Sequence, residues 1–210
     1  MTRCMNCMQE YDSQYDMCPY CGCEREPKPR ELYFLVPGTV LGSGGRYEVG
    51  GAGGDGGFGI TYRAWDRTLA KTVAIKEHYP AGLVNRVPGE KDVIVYSGRR
   101  EREYRIGKQR FLEEAQNMAR YNTHDNIVNV YDFFEENHTA YIVMEFLEGI
   151  NYREYLEEKA DRGEEVPVRE SLEVMHSVLT ALSEVHKSDI LHRDISPDNI
   201  FLCRDGRIKL

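Results

Sequence analysis

The feature that most constrains the fold of this chain is a polar octet, HRDISPDN, at residues 192–199. The apolar residues Ile190 and Leu191 precede it and the apolar run 200–202 follows it, so we predict a loop held between two buried strands. Asp194 and Asn199 are five residues apart on this loop. Such a pair can offer a carboxylate to a substrate hydroxyl and a carboxamide oxygen to a hard cation. Phosphoryl transfer uses both groups, so the octet predicts that chemistry.

The octet resembles the catalytic loop of protein kinases, H-R-D-x-x-x-x-N. The resemblance implies that Asp194 accepts or orients the hydroxyl proton and that Asn199 binds Mg²⁺. The chain departs from the serine/threonine kinase pattern at Ser196, where that family usually has Lys. Kinase-like enzymes that phosphorylate small molecules also have Ser at this place, and they stay as a less favoured alternative.

A glycine-rich run, GDGGFG at residues 54–59, precedes a predicted strand at 60–65, and a second predicted strand ends in Val-Ala-Ile-Lys at 73–76. A flexible low-complexity loop is the alternative for the glycines, because ten fall between residues 42 and 59. A glycine hairpin between strands, followed by a strand that ends in Lys, resembles the kinase order rather than the Rossmann order. The resemblance implies an ATP site in which Lys76 pairs the α- and β-phosphates. Gly53 and Thr61 differ from the Leu and Val that the family usually has there.

A helix is predicted after residue 107, beyond a strand at 93–96 and a solvated mixed-charge run at 99–105. Its apolar stripe consists of Phe111, Leu112, Ala115, Met118 and Ala119. Glu114 lies at the edge of the stripe, whereas Glu113 lies opposite and faces water. By resemblance to the kinase helix glutamate, we predict that Glu114 pairs with Lys76; a plain surface glutamate is the alternative.

The segments HDNIV at 124–128 and YIVMEFLEG at 141–149 resemble the kinase segment before the fourth strand and the fifth strand with its hinge. The resemblance implies that Met144 is the gatekeeper, that backbone groups of Glu145 and Leu147 meet the adenine edge, and that Phe201 closes the pocket floor. The implied ATP-binding set is Gly54, Gly56, Gly59, Thr61, Ala74, Lys76, Met144, Glu145, Leu147 and Phe201. A further helical stripe is predicted to be core and consists of Leu172, Met175, Val178, Leu179, Leu182 and Val185.

Two C-x-x-C pairs, Cys4 with Cys7 and Cys18 with Cys21, lie in a segment with too few apolar residues to fold alone. Four thiolates complete the tetrahedron that Zn²⁺ prefers, so the spacing predicts zinc. Two disulfides are the alternative, but they need an oxidising compartment. Cys23 could replace Cys21 or be a bystander. The segment resembles a short zinc ribbon, and its two basic and five acidic side chains favour a structural role or a protein contact over nucleic acid.

Composition adds limits on partners and compartment. The net charge of −8 disfavours nucleic acid and anionic membranes as partners. No apolar run approaches the roughly 18 residues of a membrane span, and the N-terminus lacks the apolar core of a signal peptide, so we predict a cytoplasmic protein. The expected partners are ATP and a protein with a Ser or Thr hydroxyl.

The predicted fold class is α+β, a protein-kinase-like two-lobe fold made of the small lobe and the start of the large lobe, preceded by a zinc ribbon. The predicted domains are a zinc ribbon at 1–26, a linker at 27–46, the small lobe and hinge at 47–148, and the start of the large lobe at 149–210. The resemblance implies a bacterial serine/threonine protein kinase that uses ATP and Mg²⁺. The sequence contains no D-F-G, so we expect these residues alone to be inactive or weakly active. A catalytically dead nucleotide-binding or adaptor module is the alternative.

Overall fold

A computed structural model describes residues 1–56, 59–188 and 190–210. It divides into two compact units, the first made of residues 1–116 and 130–146 and the second of residues 117–129 and 147–210. In chain order, the strands are β1 (Thr2–Arg3), β2 (Glu10–Tyr11), β3 (Val40–Leu41), β4 (Tyr47–Gly56), β5 (Gly59–Asp66), β6 (Lys71–His78), β7 (Val84–Arg86), β8 (Val93–Val95), β9 (Val130–Glu136), β10 (Thr139–Glu145), β11 (Gly149–Asn151), β12 (Phe201–Cys203) and β13 (Ile208–Lys209). The α-helices are α1 (Arg99–Met118), α2 (Tyr152–Asp161) and α3 (Val168–His186). None of these helices has the length and apolar character needed to cross a membrane, as far as the chain is described.

An antiparallel six-stranded sheet is the framework of the first unit, in the order β3-β4-β5-β6-β10-β9. Along β5, Ile60, Tyr62 and Ala64 are buried and alternate with half-buried residues, as expected where one face of a strand packs on a core. The strands predicted from the sequence at 60–65, 73–76 and 93–96 are confirmed as β5, β6 and β8.

Part of the predicted linker covers the core face of this sheet. Phe34 and Leu35 are buried among the sheet residues, and the short β7–β8 hairpin adds Val84 and Val93 to the same cluster. Burying a large apolar side chain contributes roughly 1.5–3 kcal/mol, so residues 33–35 stabilise the sheet rather than only connecting segments.

Helix α1 begins at Arg99, so the prediction that residues 99–105 precede the helix is wrong. Arg and Glu are good helix formers, and the ion pair between Arg99 and Glu103 spans one turn. Most of the run is solvated as predicted, but Tyr104 is buried and anchors the first half of the helix.

The second unit contains a small antiparallel sheet in the order β11-β12-β13. The segment that contains Asn126 lies beside the last strand, since Asn126 Nδ2 donates to the Ile208 carbonyl at 2.9 Å and Leu210 N donates to the Asn126 carbonyl at 2.9 Å. Only the C-terminal flank of the polar octet is a strand, β12. The predicted strand at Ile190 and Leu191 is wrong, because these residues have no regular structure and Leu191 is exposed.

Helix α3 has two apolar faces, and only one of them is core. Val174, Val178 and Ala181 are buried, and Leu182 and Val185 pack beside them. The prediction of a single core stripe is wrong for three members that are at least half exposed, namely Leu172, Met175 and Leu179. The helical pattern alone does not distinguish these faces, because both recur every three to four residues.

Candidate active site and cysteine cluster

The described residues of the glycine run lie at the end of β4 and the start of β5. Gly54 pairs with Thr61 and Gly56 pairs with Gly59. Residues 57–58 of the predicted phosphate loop lie outside the described residues. The register shifts twice between Val49 and Gly54, so β4 is irregular as it approaches the turn.

Strand β6 carries Lys76 beside this hairpin, with Thr61 as its partner on β5 and Ile142 as its partner on β10. Gly59 lies very close to the same strand, because a Cβ atom there would lie 2.3 Å from the carbonyl oxygen of Glu77. A side chain at this position would push β5 and β6 apart, which explains the need for glycine.

Lys76 and Glu114, both described in the structure, do not form the predicted ion pair. Glu114 is exposed, and the side of α1 near Lys76 presents Phe111, whose ring centre lies 5.8 Å from Lys76 Nζ. The helix is anchored by Tyr104, Phe111 and Ala115, which leaves Glu114 beyond the edge of the buried stripe. Glu113 is also exposed, as predicted.

A buried ion pair that the sequence analysis did not identify lies on the other face of β6. Glu77 and Arg86 are at most 2% exposed and in direct contact. The hydroxyls of Tyr62 and Tyr141 donate to the Glu77 carboxylate at 2.9 and 3.2 Å, and Arg86 Nη1 donates to the Tyr33 carbonyl at 2.8 Å. Beside the Glu77 carboxylate the pKa of Arg86 is raised despite its burial. The network holds β6, β7 and residue 33 together, directly behind Lys76.

His78 lies on the same face of β6 as Lys76 and was also missed. Its ring packs between Tyr104 and Phe111, with ring centres 5.2 and 5.3 Å away. Burial, together with the nearby cations Lys108 and Lys76, lowers the pKa of His78 to about 4. The imidazole is therefore neutral at neutral pH. Residues two apart along a strand project to the same face, so the position of His78 beside Lys76 could have been predicted from the sequence.

The predicted adenine-binding residues divide between the two units. In the first unit, Ala74 on β6 pairs directly with Met144 on β10, and Glu145 is the buried last residue of that strand. In the second unit, Leu147 and Phe201 are half-buried.

The polar octet brings its two predicted functional residues together. Asn199 Nδ2 donates to Oδ2 and to the main-chain oxygen of Asp194, each at 2.9 Å. A 3₁₀ turn at Pro197–Asn199 closes the loop, and Arg153 of α2 donates to Asp198 at 2.5 Å. The Arg153 guanidinium holds the pKa of Asp198 below its usual range. Because the Asn199 amide nitrogen points to Asp194, its carboxamide oxygen is left for a cation.

The four cysteines of the two pairs converge, and their ligand atoms all lie within 4.8 Å of one another. The Sγ atoms of Cys4 and Cys21 are 3.5 Å apart and those of Cys7 and Cys18 are 3.7 Å apart. Tetrahedral zinc with bonds of about 2.3 Å would separate its sulfurs by about 3.8 Å, so the set fits this metal. Cys23 is outside the set and packs beside it.

Main-chain groups support the same ligand set. The N–H groups of Asn6 and Cys7 point at Cys4 Sγ, at 3.4 and 3.5 Å. N–H donors of this kind stabilise a metal-bound thiolate. Gly22 has a φ of 70°, a left-handed conformation that glycine adopts without strain, so the chain can turn tightly after the second pair.

Comparisons with known proteins agree with the kinase resemblance. The family model described as protein kinase domain matches residues 47–210. The serine/threonine-protein kinase PrkC of Bacillus subtilis is 32% identical over 166 residues, which cover 79% of this chain and 22% of PrkC. The serine/threonine-protein kinase PksC of Streptomyces coelicolor is 34% identical over 173 residues, which cover 80% of this chain and 27% of PksC. The chain thus spans about a quarter of the length of these relatives.

Solved structures give the same family. The apo form of PpkA-294 matches with a TM-score of 0.76 and 31% identity, over 85% of this chain and 60% of that one. The kinase domain of PknI from Mycobacterium tuberculosis matches with a TM-score of 0.63 and 27% identity, over 84% of this chain and 60% of that one. The fold is therefore protein-kinase-like, and the chain belongs to the protein kinase domain family, with bacterial serine/threonine kinases among its relatives.

Proposed function

We propose that this domain transfers the γ-phosphoryl group of ATP to serine or threonine hydroxyls of a protein. The observation that carries the proposal is the contact between Asn199 and Asp194, which supports a loop prepared to orient a hydroxyl beside a cation. The relatives named as serine/threonine-protein kinases support the same reaction class.

Each residue has a proposed role in this reaction. Asp194 accepts or orients the hydroxyl proton, and Lys76 holds the nucleotide phosphates as a cation on a strand fixed from behind by Glu77. Asn199 would hold Mg²⁺ through its carboxamide oxygen, and the ion when bound neutralises charge on the phosphates. Glu114 is proposed as the partner of Lys76 in the nucleotide-bound form, since the placement of this helix is a variable of kinase regulation.

The remaining assignments concern binding groups. The glycines of the β4–β5 turn would bring main-chain amides to the phosphates, while Ala74 and Met144 on neighbouring strands would line the adenine. We also propose that Cys4, Cys7, Cys18 and Cys21 hold one zinc ion that organises residues 1–26, since their sulfur spacing fits tetrahedral coordination.

The test separates nucleotide binding from phosphoryl transfer. We expect the 210-residue protein to bind a fluorescent ATP analogue with Mg²⁺, and Lys76→Met to weaken binding at least tenfold, because the analogue then loses its phosphate cation. Incorporation of radiolabelled phosphate into a generic protein substrate should be weak, since the chain lacks the D-F-G aspartate that binds Mg²⁺ in the family, and Asp194→Asn should abolish it.

The variants also distinguish the rival assignment. Binding that responds to Lys76→Met, with no incorporation above that of Asp194→Asn, would favour a nucleotide-binding adaptor. A wild-type protein that binds no nucleotide would contradict both assignments.

A further inference from the structure

The first cysteine pair rests directly on the strands that carry the candidate nucleotide site. We use the name cysteine knuckle for Cys4–Cys7. Gly51 N of β4 donates to the Met5 carbonyl at 2.7 Å, and Arg63 Nη1 of β5 donates to the Asn6 carbonyl at 2.7 Å. Both carbonyls lie between the two predicted zinc ligands of the knuckle, so metal binding on either side would fix their positions.

The knuckle is seated without spare room. A Cβ atom on Gly50 would lie 2.1 Å from Met8 Cε and 2.3 Å from the Met5 carbonyl oxygen, so β4 approaches the knuckle as closely as glycine allows. The guanidinium carbon of Arg3 lies 3.5 Å from the ring centre of Trp65, which gives a cation–π contact between the N-terminal segment and β5. This close contact means that movement of the knuckle would be transmitted to β4 and β5.

Arg63 extends this contact towards the predicted hinge. Its guanidinium carbon lies 4.3 Å from the ring centre of Phe146, the residue after the last residue of β10. Arg63 also pairs with Ala74, which pairs with Met144. Directly paired residues of antiparallel strands project to the same face of a sheet, so Arg63 shares a face with two proposed adenine-lining residues.

We propose that Arg63 is a positioning residue for the adenine end of the nucleotide site, and that the metal-bound cysteine knuckle sets its orientation. The guanidinium donates to the Asn6 carbonyl and also lies over the ring of Phe146, so one side chain links the knuckle to the start of the hinge. Arginine suits this place because its planar group can donate a hydrogen bond in its plane while stacking. The inference rests on the proposed function, because it concerns the same nucleotide site.

The first experiment compares nucleotide affinity among variants of the full 210-residue protein, using a fluorescent ATP analogue. Arg63→Ala should weaken binding about three- to tenfold, as expected for the loss of one cation–π contact and one hydrogen bond. Arg63→Lys should recover only part of this loss, because an ammonium cannot stack and donate in one plane. Arg67→Ala is the matched control, since Arg67 bonds to Glu48 and to the Gly45 carbonyl, and it should bind as the wild type does.

The second experiment tests the role of the metal. Wild type and Arg63→Ala should each carry about one zinc per chain by elemental analysis, and Cys4→Ser should lower that content. Removing zinc with a chelator should weaken nucleotide binding by the wild type about as much as Arg63→Ala does, and should weaken the variant little further. Amide hydrogen exchange should speed up at residues 50–52 and 144–146 when zinc is removed from the wild type.

Three results would overturn the inference. Arg63→Ala could bind the analogue as tightly as Arg67→Ala, chelation could weaken wild type and variant by the same factor, or removal of zinc from the wild type could leave exchange at 144–146 unchanged. A wild type that binds no nucleotide would overturn the proposed function instead, and the exchange data would then decide whether the knuckle and the hinge are linked.

Discussion

The octet loop and the β6–α1 region hold their charged groups by different means. In the loop, Asn199 contacts Asp194 five residues earlier in the chain, and both residues are exposed. In the β6 region, Glu77 is fully buried and receives hydrogen bonds from Arg86 and two tyrosines that come from other strands. The loop therefore depends on local backbone geometry, whereas the region around Lys76 depends on tertiary packing.

This contrast separates what a substitution should do in each region. Exposed groups in a turn cost little to leave unpaired, because water replaces the missing partner. A buried charge without its partner keeps its full desolvation penalty. Substitutions in the buried network behind Lys76 should therefore act on stability, and those in the loop should act on phosphoryl transfer.

The largest effect is expected for Glu77→Gln, which keeps the shape of the side chain and leaves Arg86 as an uncompensated buried cation. We expect the free energy of unfolding to fall by about 3–5 kcal/mol. The measurement is urea unfolding followed by the fluorescence of Trp65, the chain's single tryptophan. Glu48→Gln is the matched control, because Glu48 pairs with a half-exposed Arg67 and should cost less than about 0.5 kcal/mol. A loss below 1 kcal/mol for Glu77→Gln would contradict the packing contrast.

A smaller effect is expected for His78 as the pH falls. Because the pKa of the buried His78 is about 4, compared with 6.5 for an ordinary histidine, its contribution to stability is complete above pH 6.5. The contribution is lost as the pH falls from 6.5 through 4, and the loss approaches about 3 kcal/mol. His78→Gln should flatten this part of the stability profile, since glutamine does not titrate.

Wild type and His78→Gln share the cysteine cluster and its sensitivity to acid. That contribution therefore cancels when the stability profile of one protein is subtracted from that of the other. His186→Gln, which replaces an exposed histidine, is the matched control. Identical profiles for wild type and His78→Gln between pH 6.5 and 4 would mean that the imidazole accepts its proton without cost.

The features that the sequence predicted correctly depend on contacts between residues near each other in the chain. The strand β5 follows from two-residue alternation, and β6 contains the short apolar run at 73–75. The sequence also predicted a loop that carries both Asp194 and Asn199, which lie only five residues apart. The cysteine set is also defined by spacing, because a C-x-x-C pair already brings two sulfurs to one point.

The features that were missed depend on partners distant in the chain. Arg86 was unremarkable in the sequence, because nothing local indicates that Glu77 would be buried beside it with tyrosines from β5 and β10. Helical spacing identified an apolar pattern on α3, but which of its two faces packs is decided by the strands β12 and β13. Lys76 and Glu114 are 38 residues apart, and whether they meet depends on which face of α1 is turned towards β6. The packing of Phe111 and Tyr104 fixes that orientation, and the sequence does not reveal it.

The smallest effect, and the one that sharpens the contrast most, is expected for Glu114→Gln. Without nucleotide, the free energy of unfolding should change by less than about 0.5 kcal/mol, because Glu114 is exposed and its predicted bond with Lys76 is not formed. A bound ATP analogue with Mg²⁺ stabilises the folded protein according to its affinity. If α1 brings Glu114 to Lys76 in the bound form, the ligand should raise the free energy of unfolding of the variant by about 0.5–1 kcal/mol less than that of the wild type. Glu113→Gln is the matched control and should behave as the wild type does in both states, since Glu113 is exposed and accepts a hydrogen bond from Gln109 of the same helix. Equal gains for all three proteins in the same urea titration would mean that Lys76 holds nucleotide without Glu114.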